Sequence, residues 1–208
     1  VQVVVLILGG FVTTYLALDI VSEGNGAVQG LQRIYEEAPS HFAMILSPEN
    51  EAYKHLPGIG VLVGGMWVAN LYYWGFNQYI IQRTLAAKSL KESQKGILLA
   101  AAIKIIMPLI VVIPGIAAYV IVNDPQILAS LGEAGMTNIP TAETADKAYP
   151  WLLQFLPTGL KGLAFAALTA AIVSSLASML NSTSTIFTMD IYKQYINKDA
   201  SDKATVQM

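Results

Sequence analysis

The sequence predicts an all-α integral membrane protein with four membrane-spanning helices. Three observations predict it. Hydrophobic residues make up 54% of the 208-residue chain and charged residues only 12%, about half the charge of an ordinary soluble domain. The charges are crowded between long uncharged stretches, whereas a half-buried soluble helix alternates polar and apolar residues at helical period. Four of those stretches are long enough to cross a hydrocarbon core, which is about 30 Å thick and takes roughly 20 apolar residues in helix. Backbone polar groups find no water there, so each span must be helical to bond internally.

The elements follow in order. Residues 1–21 are read as the first span and 22–57 as an extracytoplasmic connection with a short helix, in which Val28, Leu31, Ile34 and Tyr35 form one apolar stripe. Residues 58–81 form the second span, which carries internal polar groups and the glycines Gly64, Gly65 and Gly75, which permit close packing or a local break. Residues 82–95 form a cytoplasmic loop. Residues 96–123 form the third span, in which Pro108 and Pro114 each remove a backbone donor. Residues 124–158 form a second extracytoplasmic connection, opened by Asp124-Pro125 as N-cap and first helical position. Residues 159–188, rich in Ala and Ser, form the fourth span, and 189–208 a cytoplasmic segment. The orientation rests on Arg83, Lys88, Lys91 and Lys95 in the short loop and Lys193, Lys198 and Lys203 at the end. Basic residues favour the cytoplasmic side. The two longer connections dilute their Lys and Arg and hold acids such as Glu36, Glu37, Glu133 and Asp146.

Composition also removes function classes. There is no cysteine, which excludes disulfides, thiolate metal sites and cysteine nucleophiles. His41 and His55 are the only histidines and share one polar connection, so a histidine metal site is not expected. A net charge of −2 gives no reason to expect nucleic acid. The chain enters an apolar segment at Val1 without a charged leader or cleavage site, so it reads as a piece of a longer polypeptide and not as a signal peptide.

Polar groups inside spans are costly and often functional. On the second span Asn70, Tyr73, Trp74 and Asn77 follow i, i+3, i+4, i+7 and would share one helix face. Amides there could hold hydroxyls, and aromatic rings could cover the apolar face of a sugar. An aromatic belt would sit at the membrane rim, whereas Asn70 lies roughly 12 residues into the span, near mid-membrane. Lys104 lies about 12 Å along the third span from Gly96. Its spacing does not choose between an ion pair with an acid on another helix and a donor to a polar substrate. On the fourth span Ala171, Ser174, Ser175 and Ser178 repeat the i, i+3, i+4, i+7 pattern. Small-residue helix packing with back-bonded hydroxyls is the commoner meaning of that pattern. A sodium site is the other, because hard cations take oxygen ligands.

Longer runs carry a resemblance. The stretch NQYIIQRTLAAKSL beginning at Asn77, the K-x-x-x-P spacing of Lys104 and Pro108, Pro114-Gly115, and PTGLKGLAFAALTAAIVSSLASMLNSTSTIFTMDIY over 157–192 resemble the sodium/glucose branch of the sodium/solute symporter family, most closely its bacterial galactose-carrying members. The resemblance implies a LeuT-type fold of two inverted five-helix repeats, with the four spans as core helices five to eight. Such folds bind substrate and ion near mid-bilayer and work by alternating access.

The resemblance further implies that Asn70 and Lys104 hydrogen-bond the sugar, and that Tyr73 stacks on the ring as inner gate with Trp74 beside it. The carbonyl of Ala171 and the hydroxyls of Ser174 and Ser175 would contribute to a sodium site. The first core helix, which supplies the other sodium oxygens, and an acidic residue just before Val1 are not in this sequence, so the remaining helices of the same transporter are expected partners beside the lipid bilayer. The expected function is sodium-coupled symport of galactose or a related hexose across the cell inner membrane, with no enzymatic chemistry. Alternatives are a symporter of the same fold for proline, pantothenate or an anion, or a channel-like protein. A membrane enzyme is the weakest reading, because the spans hold no paired acids and no nucleophile–base pair.

Overall fold

Apolar length sets the architecture. In a computed structural model describing residues 2–54 and 58–207, four helices are long and apolar enough to cross a membrane. His55 lies outside the described residues. The elements run α1 (Gln2–Val21), α2 (Ala27–Glu37), α3 (Gly58–Phe76), α4 (Gln78–Leu85), α5 (Leu90–Asn123), α6 (Pro125–Ser130), α7 (Gly132–Met136), α8 (Ala148–Leu153), α9 (Thr158–Ile196) and α10 (Asp202–Gln207). Short 3-10 turns occupy Pro39–Phe42, Glu51–Lys54 and Ala142–Lys147. The chain separates into two compact units. The first comprises the described residues up to Ile59 and Leu99–Thr169, the second the described residues of Gly60–Leu98 and Ala170–Met208.

The first unit is built on close approach of small residues. Thr13, Thr14, Ala17 and Val21 of α1 are buried. The Thr14 hydroxyl is shared between its own helix at Gly10 O (2.8 Å) and α5 at Leu109 O (3.0 Å). A Cβ on Gly10 would lie 2.9 Å from Ile110 Cβ, so glycine lets the two helices meet. The crossing of α1 by α2 is tighter: a Cβ on Gly30 would fall 2.0 Å from the Leu18 carbonyl oxygen. Ile34, Ile116, Ile121, Ile127, Trp151 and Leu152 close the core beside them. Of the apolar stripe expected on α2, only Ile34 is buried; Val28, Leu31 and Tyr35 are exposed.

Charge locks the same unit outside its core. α1 ends with Glu23 in the left-handed region (φ 56°), with Gly24 N–H bonded back to Asp19 O at 2.9 Å. A non-glycine there is unfavourable, and the Glu23 carboxylate is put to use on Arg33. Arg33 donates to Glu37 (2.7 Å), Glu23 (2.8 Å), Asp124 (2.8 Å) and the Val21 carbonyl (2.9 Å). Hydrogen bonds to Glu37 and then Glu23 hold the guanidinium above its ordinary pKa, with burial opposing. A raised pKa stabilises fully below the unfolded value, and arginine stays protonated far above physiological pH in either state, so this contribution is constant across accessible pH. Asp124 serves twice: one oxygen accepts from Arg33 and the other caps α6 through Gln126 N (2.8 Å) and Ile127 N (3.3 Å), as its Asp-Pro sequence predicts.

The second unit departs from the straight span expected over 58–81. α3 carries two π turns, Val61–Gly65 and Tyr72–Phe76, each containing glycine. Asn77 is then extended (φ −75°, ψ 113°) and its side chain accepts from Tyr79 N at 3.1 Å, capping α4. The helix therefore stops at Phe76 and restarts at Gln78. The residues expected as a loop over 82–95 are largely helical. Ser89 accepts from Glu92 N at 3.3 Å and Lys95 pairs with Glu92 at 2.9 Å, so α5 nucleates at Leu90. At 34 residues α5 is about 50 Å long, well beyond the hydrocarbon core, and it runs through both prolines. The fourth span continues past its expected end as a π segment, Phe187–Ile196.

Two substitutions read these features out. Gly30→Ala should lower the melting temperature of the detergent-solubilised full-length protein, since overpacking costs roughly 1–3 kcal/mol; an unshifted transition would show that α1 and α2 do not cross this closely. Asn77→Ala should speed amide exchange at Tyr79 roughly fivefold, the loss of about 1 kcal/mol of capping. Asn77→Asp, which keeps the acceptor, should retain protection, and equal exchange in all three proteins would remove the cap.

Candidate functional site

The expected substrate face lies on the half of α3 where the backbone is irregular. Asn70 occupies the last α-helical turn before the second π segment, and Tyr73 and Trp74 lie within that segment. The Asn70 amide donates to Met66 O at 2.8 Å, a bond to its own helix. The Tyr73 and Trp74 rings meet edge to face, with centroids 5.3 Å apart at 83°. All three side chains are exposed, Tyr73 at 41% and Trp74 at 42%. Asn77 does not join them. The spacing that put it on one face assumes 3.6 residues per turn, and the π turn followed by an extended residue breaks that phase. π turns inside helices recur at functional sites, because they widen a turn and free backbone geometry without removing the helix.

Ala171, Ser174 and Ser175 lie on consecutive turns of α9 in the second unit. Ala171 and Ser175 are half-buried and Ser174 is exposed. The Ser178 hydroxyl donates to Ser174 O at 3.0 Å. This is the back-bonding expected of intrahelical serine, and it occupies the Ser174 carbonyl. Lys104 belongs to the first unit, on the exposed side of α5, one turn before Pro108. Pro108 has no N–H to give the Lys104 carbonyl four residues back. Of the expected site residues, the structure brings Tyr73 against Trp74 and puts the three α9 positions on adjacent turns.

The second unit also holds a polar cluster that sequence reasoning missed. Gln82 Nε2 donates to Ser178 O (3.3 Å), Arg83 Nη2 donates to Ser178 Oγ, and Asn181 Nδ2 donates to Gln82 Oε1 (3.2 Å). These bonds join α4 to α9 beside a groove of about 460 Å³ that Ser174 also lines. Gln82 and Arg83 stand inside a recognisable sequence run, but Arg83 was informative there only as a topological charge. Elsewhere, His41 packs its ring on Tyr119, with centroids 4.1 Å apart.

Comparison with known proteins places this geometry. The Sodium:solute symporter family matches residues 1–208. The chain is 63% identical over all 208 residues to a sodium/glucose cotransporter of Vibrio parahaemolyticus, covering 38% of that protein. It is 35% identical over 202 residues to the uncharacterized symporter YidK of Escherichia coli strain K12, covering 97% of this chain and 31% of that one. It is 42% identical over 149 residues to the human sodium/myo-inositol cotransporter 2, covering 71% of this chain and 22% of that one. The chain thus spans between about a fifth and two fifths of the length of these relatives. Those relatives are transport proteins, not enzymes. A chain whose described residues include four helices long and apolar enough to cross a membrane, and which the family model matches from end to end, belongs to the sodium:solute symporter family, whose core is of the LeuT type.

Proposed function

We propose that the full-length protein is a sodium-driven symporter that takes up galactose or a related hexose across the cell inner membrane by alternating access. The observation that carries the reading is the interrupted α3. An apolar span, Gly58–Phe76, that widens into a π turn at Tyr72–Phe76 and stops at Asn77 has the irregular backbone that recurs at functional sites. The aromatic pair Tyr73–Trp74 sits on it. Identity of 63% to a protein named a sodium/glucose cotransporter supports a sugar and sodium as the transported pair.

In this reading the four spans are core helices five to eight, with residues 82–95 and 189–208 cytoplasmic and 22–57 and 124–158 extracytoplasmic. Asn70 and Lys104 hydrogen-bond sugar hydroxyls, and Tyr73 covers the ring and must move for inward release, with Trp74 buttressing it. Ala171 O and the Ser174 and Ser175 hydroxyls supply part of an oxygen shell for sodium. Helices outside this chain supply the rest. The occupied Ser174 carbonyl leaves its hydroxyl as the ligand atom. Sodium acts only through its different affinity for the outward- and inward-facing states.

Proteoliposomes of the full-length protein should accumulate radiolabelled galactose only under an inward sodium gradient. Competition by glucose, myo-inositol and proline would rank the solutes; flux that ignores sodium would replace the symporter with a channel. Tyr73→Ala should abolish the sodium-dependent component, and undiminished accumulation would remove it as a gate. Ser175→Ala should raise the half-saturating sodium roughly tenfold, the scale of losing one ligand-shell contact. An identical sodium curve would take Ser175 out of the ion site.

A further inference from the structure

We propose that Arg83 is a positioning residue for the sodium site, acting through Ser178 on the α9 turn that carries Ser174 and Ser175; the inference rests on the transport reading above. The direction of the hydrogen bonds is forced. A guanidinium has donors and no acceptor, and a serine hydroxyl has one proton. Arg83 donates to Ser178 Oγ, so that oxygen must accept, and its single proton goes to Ser174 O at 3.0 Å. A charged donor on the oxygen polarises the hydroxyl and strengthens its own donation.

The same residue is held from its other end. Ser178 O accepts from Gln82 Nε2 at 3.3 Å, and Gln82 Oε1 in turn accepts from Asn181 Nδ2 at 3.2 Å. The Arg83 guanidinium is itself steadied over the Tyr79 ring, 6.0 Å from its centroid. α4 therefore grips one α9 residue at both its hydroxyl and its carbonyl, one turn from the proposed ion ligands. Asn77 caps the start of α4, so the break in α3 and the oxygens on α9 are joined by one eight-residue helix.

The charge of Arg83 has an opposing effect, because a fixed cation beside the groove repels a cation at Ser174. The groove is open to solvent, where such repulsion is strongly screened. Ligand orientation is worth roughly ten- to a hundredfold in ion affinity, so orientation decides the sign.

The test is sodium-dependent galactose uptake by the full-length protein in liposomes, with sodium and galactose varied separately. Arg83→Gln and Ser178→Ala should each raise half-saturating sodium roughly tenfold, with the galactose KM at saturating sodium unchanged. The double variant should be no worse than either single one, and Arg83→Lys, which keeps a cationic donor, should recover most of the loss. An unchanged or lowered half-saturating sodium in both single variants, additive losses in the double variant, or a fall in maximal rate at every sodium concentration with no shift in the curve would overturn the proposal. If the unsubstituted protein accumulates galactose without regard to sodium, the transport reading itself falls.

Discussion

A backbone donor in hydrocarbon must be bonded by the chain itself, and the rest of this structure is arranged around that constraint. α1, α5 and α9 meet it as long helices. α3 meets it while changing register. In its π turns the amide reaches five residues back: Met66 N–H bonds Val61 O, and Asn77 N–H bonds Tyr72 O at 3.0 Å. Where the helix stops, the Asn77 side chain takes the Tyr79 amide and the Asn77 carbonyl takes those of Ile80 and Ile81.

The two units hold together by different physics. In the first, glycine and threonine let helices approach until backbone meets side chain, at Gly10 against Ile110 and Gly30 against Leu18, and dispersion does most of the work. One arginine then ties the end of α1, the body of α2 and the start of α6 through three carboxylates. Exposed ion pairs are individually worth about 0–1 kcal/mol; one guanidinium serving three acids and a carbonyl orders its side chain only once. In the second unit, α4 is joined to α9 by amide, guanidinium and hydroxyl bonds. Such bonds are directional, whereas the close-packed glycine contacts of the first unit depend on shape alone.

The sites expected from the sequence were legible to different depths. The adjacency of Tyr73 and Trp74 and the capping role of Asp124 needed only short-range chemistry. The face that included Asn77 failed because its phase assumed an ideal α-helix, although Gly64, Gly65 and Gly75 had marked where a break was permitted. The loop over 82–95 is shorter than its run of lysines suggests, because Ser89 and Glu92, a helix start, sit among them.

Hydrophobic length and charge placement in the sequence were enough to determine a four-span membrane protein, since the bilayer imposes one dimension and one secondary structure on any long apolar run. The tertiary structure alone decided which distant polar groups meet. Arg33 finds Asp124 across 91 positions and Gln82 finds Ser178 across 96. Pairings of that kind depend on helix rotation and on the π turns that reset it, and a periodic pattern read along one strand of sequence carries no information about either.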